Sequence, residues 1–160
     1  MNWANVKINN PDNLNLILGQ SHFIKTVEDL QEIMATRCPQ IEYGFAFCEA
    51  SQDRLVRTCG NNPKLIELSS SNAMAIGAGH SFIMFIDKGF PINILPALKD
   101  CQEIVNIFCA TANPVEVIIC ETEQGRGIMG VIDGQSPLGI ENDADVKKRK
   151  DFLRMIGYKQ

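Results

Sequence analysis

Several features that would narrow the function of this chain at once are missing from it. Six cysteines are present (Cys38, Cys48, Cys59, Cys101, Cys109, Cys120), but no two form a C-x-x-C pair. The only two histidines, His22 and His80, do not fall at ligand spacing from any of them. A structural zinc site is therefore not indicated, and no tightly bound metal is expected. Most of the cysteines sit inside apolar patterns, where a reduced thiol behaves as a small buried hydrophobe. The longest apolar stretches, around "FIMFI" and "VIIC", fall far short of the roughly 20 residues that span a bilayer. The first residues, "MNWANVKINNPDN", are polar and lack the apolar core of a signal peptide. A soluble, cytoplasmic protein is the expectation. No Walker G-x-x-x-x-G-K-[ST] and no G-x-S-x-G elbow occurs, and no Rossmann or protein-kinase glycine loop is assigned. Any nucleotide would have to be held by a local arrangement of arginine, lysine and glycine amides.

What the sequence does contain is enough for one ordinary globular core. With 160 residues, 45% of them hydrophobic and 21% charged, the chain reads as a single domain over 1–160. No repeat or low-complexity tract interrupts it. Its formal net charge is −4, which argues against a nucleic-acid partner. That charge is unevenly placed. From Asp143 to Gln160 six Lys/Arg stand against three Asp, so this end carries +3 and the remainder −7. A positive end on an acidic body suits a small anion better than a polymer.

Periodicity sets out the elements. Two extended segments, "NVKIN" and "NLNLILG", open the chain. A helix from Thr26 follows, with Thr26-x-x-Asp29 resembling a capping box and Pro39 enforcing a stop. "IEYGFAFCEA" and "RLVRTCG" read as a hairpin across the polar turn "SQD". Asn62-Pro63 starts a second helix that ends at Gly77 and Gly79. "HSFIMFID" is a strand, and i, i+3, i+4 spacing predicts a third helix from Asn93 through Phe108. "VEVIICETE" and "GIMGVIDG" follow as strands joined through "QGRG". A last helix starts near Asp143 and turns Val146, Phe152, Leu153 and Ile156 inward. The nearly continuous apolar runs "FIMFI" and "VEVIIC" belong to strands covered on both faces. The expected fold is α/β (α+β): a mixed β-sheet covered by helices on both faces, in three layers.

Chemistry points first to Gly125-Arg126-Gly127. Glycines on both sides let the backbone approach a ligand closely, and the guanidinium between them suits a phosphate or carboxylate. The alternative is a hairpin turn whose arginine is merely solvated. Asp133, followed by Gly134, is placed either as a general base or magnesium ligand, or simply as half of an Asp-Gly turn. Lys147-Lys148-Arg149-Lys150 covers a full helical turn, so not all four can face one ligand; the plain reading is a solvated face. His80, at a strand entrance, is either an acid/base or hydrogen-bonding group or a structural histidine.

The segments "EAS…RLVRTCGN", "AIGAGHSFIMF", "FPINILPALK", "IFCATANPVEVI", "ETEQGRGIMGVIDGQSP" and "KKRKDFLRMIGYK" resemble the prokaryotic adenosine-specific kinase family over about residues 40 to 160. The resemblance implies a small α/β protein that binds adenosine or AMP and assembles as a homotrimer. The family name implies transfer of a phosphoryl group to adenosine, with ATP and Mg2+ as the cofactors. In that reading the site must neutralise a transferring phosphoryl group and position the nucleoside hydroxyl. Arg126, with Lys148 or Arg149, would contact the anion. Asp133 or Glu123 would orient magnesium or accept the hydroxyl proton. His80 and Asn113 would bind ribose or base, and amides near Gly125, Gly127 and Gly134 would complete the pocket. Two other functions compete: a noncatalytic purine-nucleotide binding or sensor module, and a structural oligomer whose glycine loops serve subunit contact.

Overall fold

The computed structural model describes residues 1–160 and contains eight strands and four helices. Five strands form one sheet: β2 (Asn15–Ser21), β3 (Glu42–Cys48), β4 (Val56–Gly60), β5 (Ser81–Asp87) and β6 (Ile104–Thr111), in the order β4-β3-β5-β2-β6. The other three, β1 (Asn2–Lys7), β7 (Val115–Glu121) and β8 (Arg126–Asp133), form a second sheet in the order β1-β7-β8. Helices α1 (Thr26–Arg37) and α3 (Pro91–Lys99) cover one face of the larger sheet. Helix α2 (Pro63–Ile76) and the smaller sheet cover the other.

Alternation in the central strands explains this layering. In β5, Ile83 and Phe85 join Leu16 and Leu18 beneath α2 and the β7 residues Val115, Val117 and Ile119. Phe82, Met84 and Ile86 point the other way, joining Phe45, Phe47, Leu30 and Leu98 beneath α1 and α3. With both faces of β5 buried, its continuous apolar run has the cause read from the sequence. Fully burying aliphatic and aromatic side chains of this size contributes about 1.5–3 kcal/mol each.

Helix α2 begins and ends as its sequence predicts. The Asn62 side chain accepts from the backbone N–H groups of Lys64 and Leu65, and Pro63 takes the first turn. Gly77 closes the helix in the left-handed region, at φ 61°.

Several expectations are corrected by the structure. Instead of a single mixed sheet there are two sheets, and every strand pairing within them is antiparallel. The third helix stops at Lys99, and Ile104–Thr111 is a strand paired with β2. Ile104, Val105, Ile107 and Phe108 fit a helical spacing, but they are β-branched and aromatic, and an open edge of β2 takes them up. Strand β7 is buried at alternate positions only, so "VEVIIC" covers one face of the core rather than filling two. Helix α4 (Asp143–Met155) buries none of its residues; Phe152 and Ile156, expected to turn inward, are exposed. Thr26 is not the cap of α1. Lys25 is, and the buried Thr26 hydroxyl donates to the carbonyl of Phe23 and lies 3.0 Å from Ser21 Oγ. All six cysteines are free thiols, four of them buried; burial pushes the Cys59 thiol up to about 12. No helix is long and apolar enough to cross a membrane.

An ion-pair clamp ties α1 to the start of β6. Lys25 Nζ donates to Glu103 Oε1 at 3.0 Å and also to Asp29, while the Cys101 thiol donates to Glu103 Oε2 at 3.3 Å. A hydrogen bond shared with Asp29, followed by those from Lys25 and Cys101, holds the Glu103 carboxyl well below its ordinary 4.5, at about 2. A carboxyl lowered on folding stabilises the fold fully above its unfolded value, and that contribution fades as pH falls through the folded one. Stability should therefore drop between about pH 4.5 and 2. Glu103→Gln is expected to flatten this acid limb of the unfolding midpoint against pH. An unchanged limb would mean the clamp contributes nothing.

Candidate functional site

The β7–β8 hairpin places Arg126. Its turn is closed by Thr122, whose backbone N–H donates to the carbonyl of Gly125 at 2.9 Å, and Gln124 N donates to Thr122 Oγ1 at 3.3 Å. Arg126 then enters β8 two residues before Ile128, which packs against the core beneath α2. Strand alternation thus turns the arginine inward, toward the end of that helix. Its Nε donates to Glu121 at 2.6 Å, and its Nη1 donates to the carbonyl of Ala75 at 3.2 Å. Arg126 and Ala78 also form an isolated parallel bridge. A cation at a helix C-terminus meets the negative end of the dipole, so α2 and Glu121 together orient the guanidinium. Only part of it is committed, and the side chain remains 37% exposed.

That exposed part borders a cleft of about 720 Å³, a size common for small-molecule sites. One wall is the hairpin: Thr122, Gln124, Gly125, Arg126, Gly127 and Met129. A second is the end of α2 and the turn after it, with Ala73, Met74, Gly77 and Gly79. The third is the β3–β4 connection, with Glu49, Arg54 and Leu55. A Cβ built on Gly125 or Gly127 would meet nothing within 4 Å, so these glycines leave the hairpin wall open. Apolar and polar groups share the lining, as a ligand with a flat ring and a charged end requires.

Comparison with known proteins supplies the class. The family model described as adenosine specific kinase matches residues 6–159. The chain belongs to the adenosine-specific kinase family. The crystal structure of PH1918 protein from Pyrococcus horikoshii OT3 is similar at 39% identity with a TM-score of 0.95, covering 99% of this chain and 98% of that one. A comparison with curated proteins found no match.

In this adenosine-specific kinase family member, the proposed residues fall into separate places. Gly125, Arg126 and Gly127 lie together on the cleft. Glu123 is exposed in the same turn but outside the lining. His80 follows the cleft residue Gly79, yet its ring stacks on Phe47 at 5.8 Å, on the α1/α3 side of the sheet. Its backbone is in the left-handed region, at φ 62°, and its N–H donates to the carbonyl of Cys48. Asp133 closes the far end of β8 from Arg126, roughly 20 Å away at ordinary strand rise. There Asn113 Nδ2 donates to Asp133 Oδ1 at 3.1 Å, and Gly134 N donates to the carbonyl of Pro114. Asp133, Asn113 and Gly134 form one polar cluster, and none of them lines the cleft that holds Arg126. On α4, Arg149 makes a two-point contact with Glu141, and Lys147 pairs with Asp151; Lys148 is exposed.

Sequence reasoning missed Arg54, Glu49, Met74 and Met129. Glu49 and Arg54 flank a stretch read only as a polar turn, and nothing in its composition signals that a cleft lies beside it. The string Gly125–Gly130 does read G-x-G-x-x-G. It runs from the hairpin turn into β8 and opens no helix, so it lacks the strand-to-helix setting of the dinucleotide motif.

The carboxylate that pairs with Arg126 and the one that lines the cleft are both engaged. Glu121 pairs with Arg126. Glu49 accepts from Leu55 N at 3.1 Å and Arg57 Nη2 at 3.0 Å, and the Leu55 contact followed by Arg57 holds its carboxyl below the usual range. Elsewhere, Asp29, Cys101 and Glu103 are close enough to share an ion, but Lys25 sits against both carboxylates. As it stands the cleft lining offers magnesium no free carboxylate. An ion there would have to enter on the phosphates of a nucleotide, which commonly supply Mg2+ ligands.

Proposed function

We propose that the Arg126 cleft binds adenosine and AMP. In this reading, the ring lies against Met74, Leu55 and Met129 and the phosphate turns toward the guanidinium. One observation carries it: an arginine oriented by Glu121 and the end of α2 keeps free N–H groups on a cleft of nucleotide size. Such a group binds a phosphate by charge-assisted hydrogen bonds and does not need to reorganise first.

The family name supports a phosphotransferase that makes AMP from adenosine and a nucleoside triphosphate. The engaged state of Glu49, the one carboxylate in the cleft lining, supports a second reading, a noncatalytic purine-nucleotide binding or sensor module. Incubating the pure protein with labelled ATP, adenosine and Mg2+ separates the two. Labelled AMP accumulating over many turnovers supports the enzyme; stoichiometric AMP binding without product supports the module.

We also propose assembly as a homotrimer through the C-terminal segment. Helix α4 buries nothing on its own chain, and Leu138, Ile140, Phe152 and Met155 are all exposed. Large apolar side chains left exposed along one segment suit a protein contact. Light scattering should return three times the 17.8 kDa chain mass, and Ile140→Asp with Phe152→Asp should lower it. A wild-type monomer at micromolar concentration would end this proposal.

A further inference from the structure

The β3–β4 connection presents a second guanidinium to the same cleft, and its setting differs from that of its neighbours. Arg57 draws in the acids of the turn: its Nη2 lies 3.0 Å from Glu49 and 3.5 Å from Asp53. Glu49 is further fixed by the Leu55 N–H, and its own N–H donates to the carbonyl of Leu55. Arg54 joins this network only through its backbone N–H, beside the Glu49 carboxylate. Its side chain makes no ion pair or hydrogen bond with the protein, and it lines the cleft opposite the hairpin that carries Arg126. The backbone there is held in the left-handed region, at φ 52° for Arg54 and φ 58° for Gln52. Non-glycine residues seldom adopt this conformation, and where they do they cluster at ligand clamps and active sites. Two guanidinium groups from different sheets bordering one cleft repel each other until an anion enters between them.

We propose that Arg54 is a specificity-determining residue: with Arg126 it grips the phosphate of a nucleoside monophosphate from both sides of the cleft, favouring the phosphorylated ligand over the nucleoside. This rests on the reading of the cleft as an adenosine and AMP site. Arg54 touches the phosphate and not the ring. Its removal therefore weakens AMP and leaves adenosine alone, whereas damage to the turn would weaken both.

Calorimetric titration of the intact protein with AMP and with adenosine tests this on Arg54→Ala, Arg54→Lys and Arg54→Gly. Arg54→Gly relieves the left-handed backbone, so any loss it shows does not come from a strained turn. The expected result is an AMP affinity lowered about tenfold in the alanine and glycine variants, with adenosine affinity within about twofold of wild type. Lysine should recover part of the loss, since it keeps the charge but not the fork. Equal losses for AMP and adenosine, or no loss for AMP while Arg126→Ala weakens it, overturn the role of Arg54 and leave the cleft reading standing. A wild-type protein that binds neither ligand overturns both.

Discussion

Arg126→Ala should weaken AMP binding by roughly 1.5–3 kcal/mol, about ten- to a hundredfold, while the protein stays folded. The size follows from losing a charge-assisted contact inside a partly enclosed cleft, where a guanidinium and a phosphate share parallel hydrogen bonds. The fold should survive because the pair with Glu121 is not buried: the two side chains are 37% and 42% exposed. Exposed pairs of this kind are worth about 0–1 kcal/mol, and the freed carboxylate can be hydrated. The lost donor to Ala75 adds little, since a helix-end carbonyl can turn to water. Titration calorimetry with AMP, alongside circular dichroism of the variant, checks both halves. An unchanged affinity in a folded variant would remove Arg126 from the site and the cleft reading with it.

Arg126→Lys refines the test. Lysine keeps the charge, but its ammonium is a point donor without a planar fork. It cannot reach Glu121, the Ala75 carbonyl and a phosphate in one geometry, so an intermediate affinity is expected. A lysine variant equal to wild type would mean that only the charge matters. Full loss would assign the effect to the fork and to the way α2 orients it.

How much of this the sequence disclosed depends on how local each cause is. The Asn62-Pro63 cap, the Gly77 stop and the β7–β8 hairpin were legible because each is set by neighbouring residues and turn chemistry. Arg126 was legible for the same reason, flanked by two glycines of which Gly125, at φ 157°, is required by the turn. Ile104–Thr111 was not, because its pattern suits a helix and only pairing with a distant strand decides for β6. Arg54 was invisible: its exposure to the cleft depends on Arg57 taking Glu49 and Asp53, and on a positive φ that no composition predicts. Asp133 looked close to Arg126 in sequence, yet an extended strand carries seven residues far apart in space. The apolar side of α4 was misread because an amphipathic stripe does not say that its own chain offers a surface to cover it.

Gly44→Ala should be the most damaging small substitution in the chain, and its effect should reach the cleft. A Cβ at Gly44 would stand 2.0 Å from the carbonyl carbon of Leu65 and 2.2 Å from Ile66 N. Both are backbone atoms of α2, so no side chain can swing aside. The helix must lift from β3, and the 2.8 Å hydrogen bond from Ser69 Oγ to the carbonyl of Gly44 must stretch or break. Overpacking typically costs about 1–3 kcal/mol, and a clash against rigid backbone belongs at the top of that range. For a chain of this size, about 3 kcal/mol lowers Tm by roughly 6–12 °C. Lifting α2 also displaces Ala75, whose carbonyl orients Arg126, so AMP affinity should fall in the molecules that remain folded. Gly127→Ala is the control: nothing lies within 4 Å of its added Cβ, and an alanine suits a strand at least as well as a glycine. Thermal unfolding of the two variants side by side decides the matter. If Gly44→Ala melts with wild type, α2 does not press on β3 as closely as these distances require, and the helix loses its claim to orient the arginine.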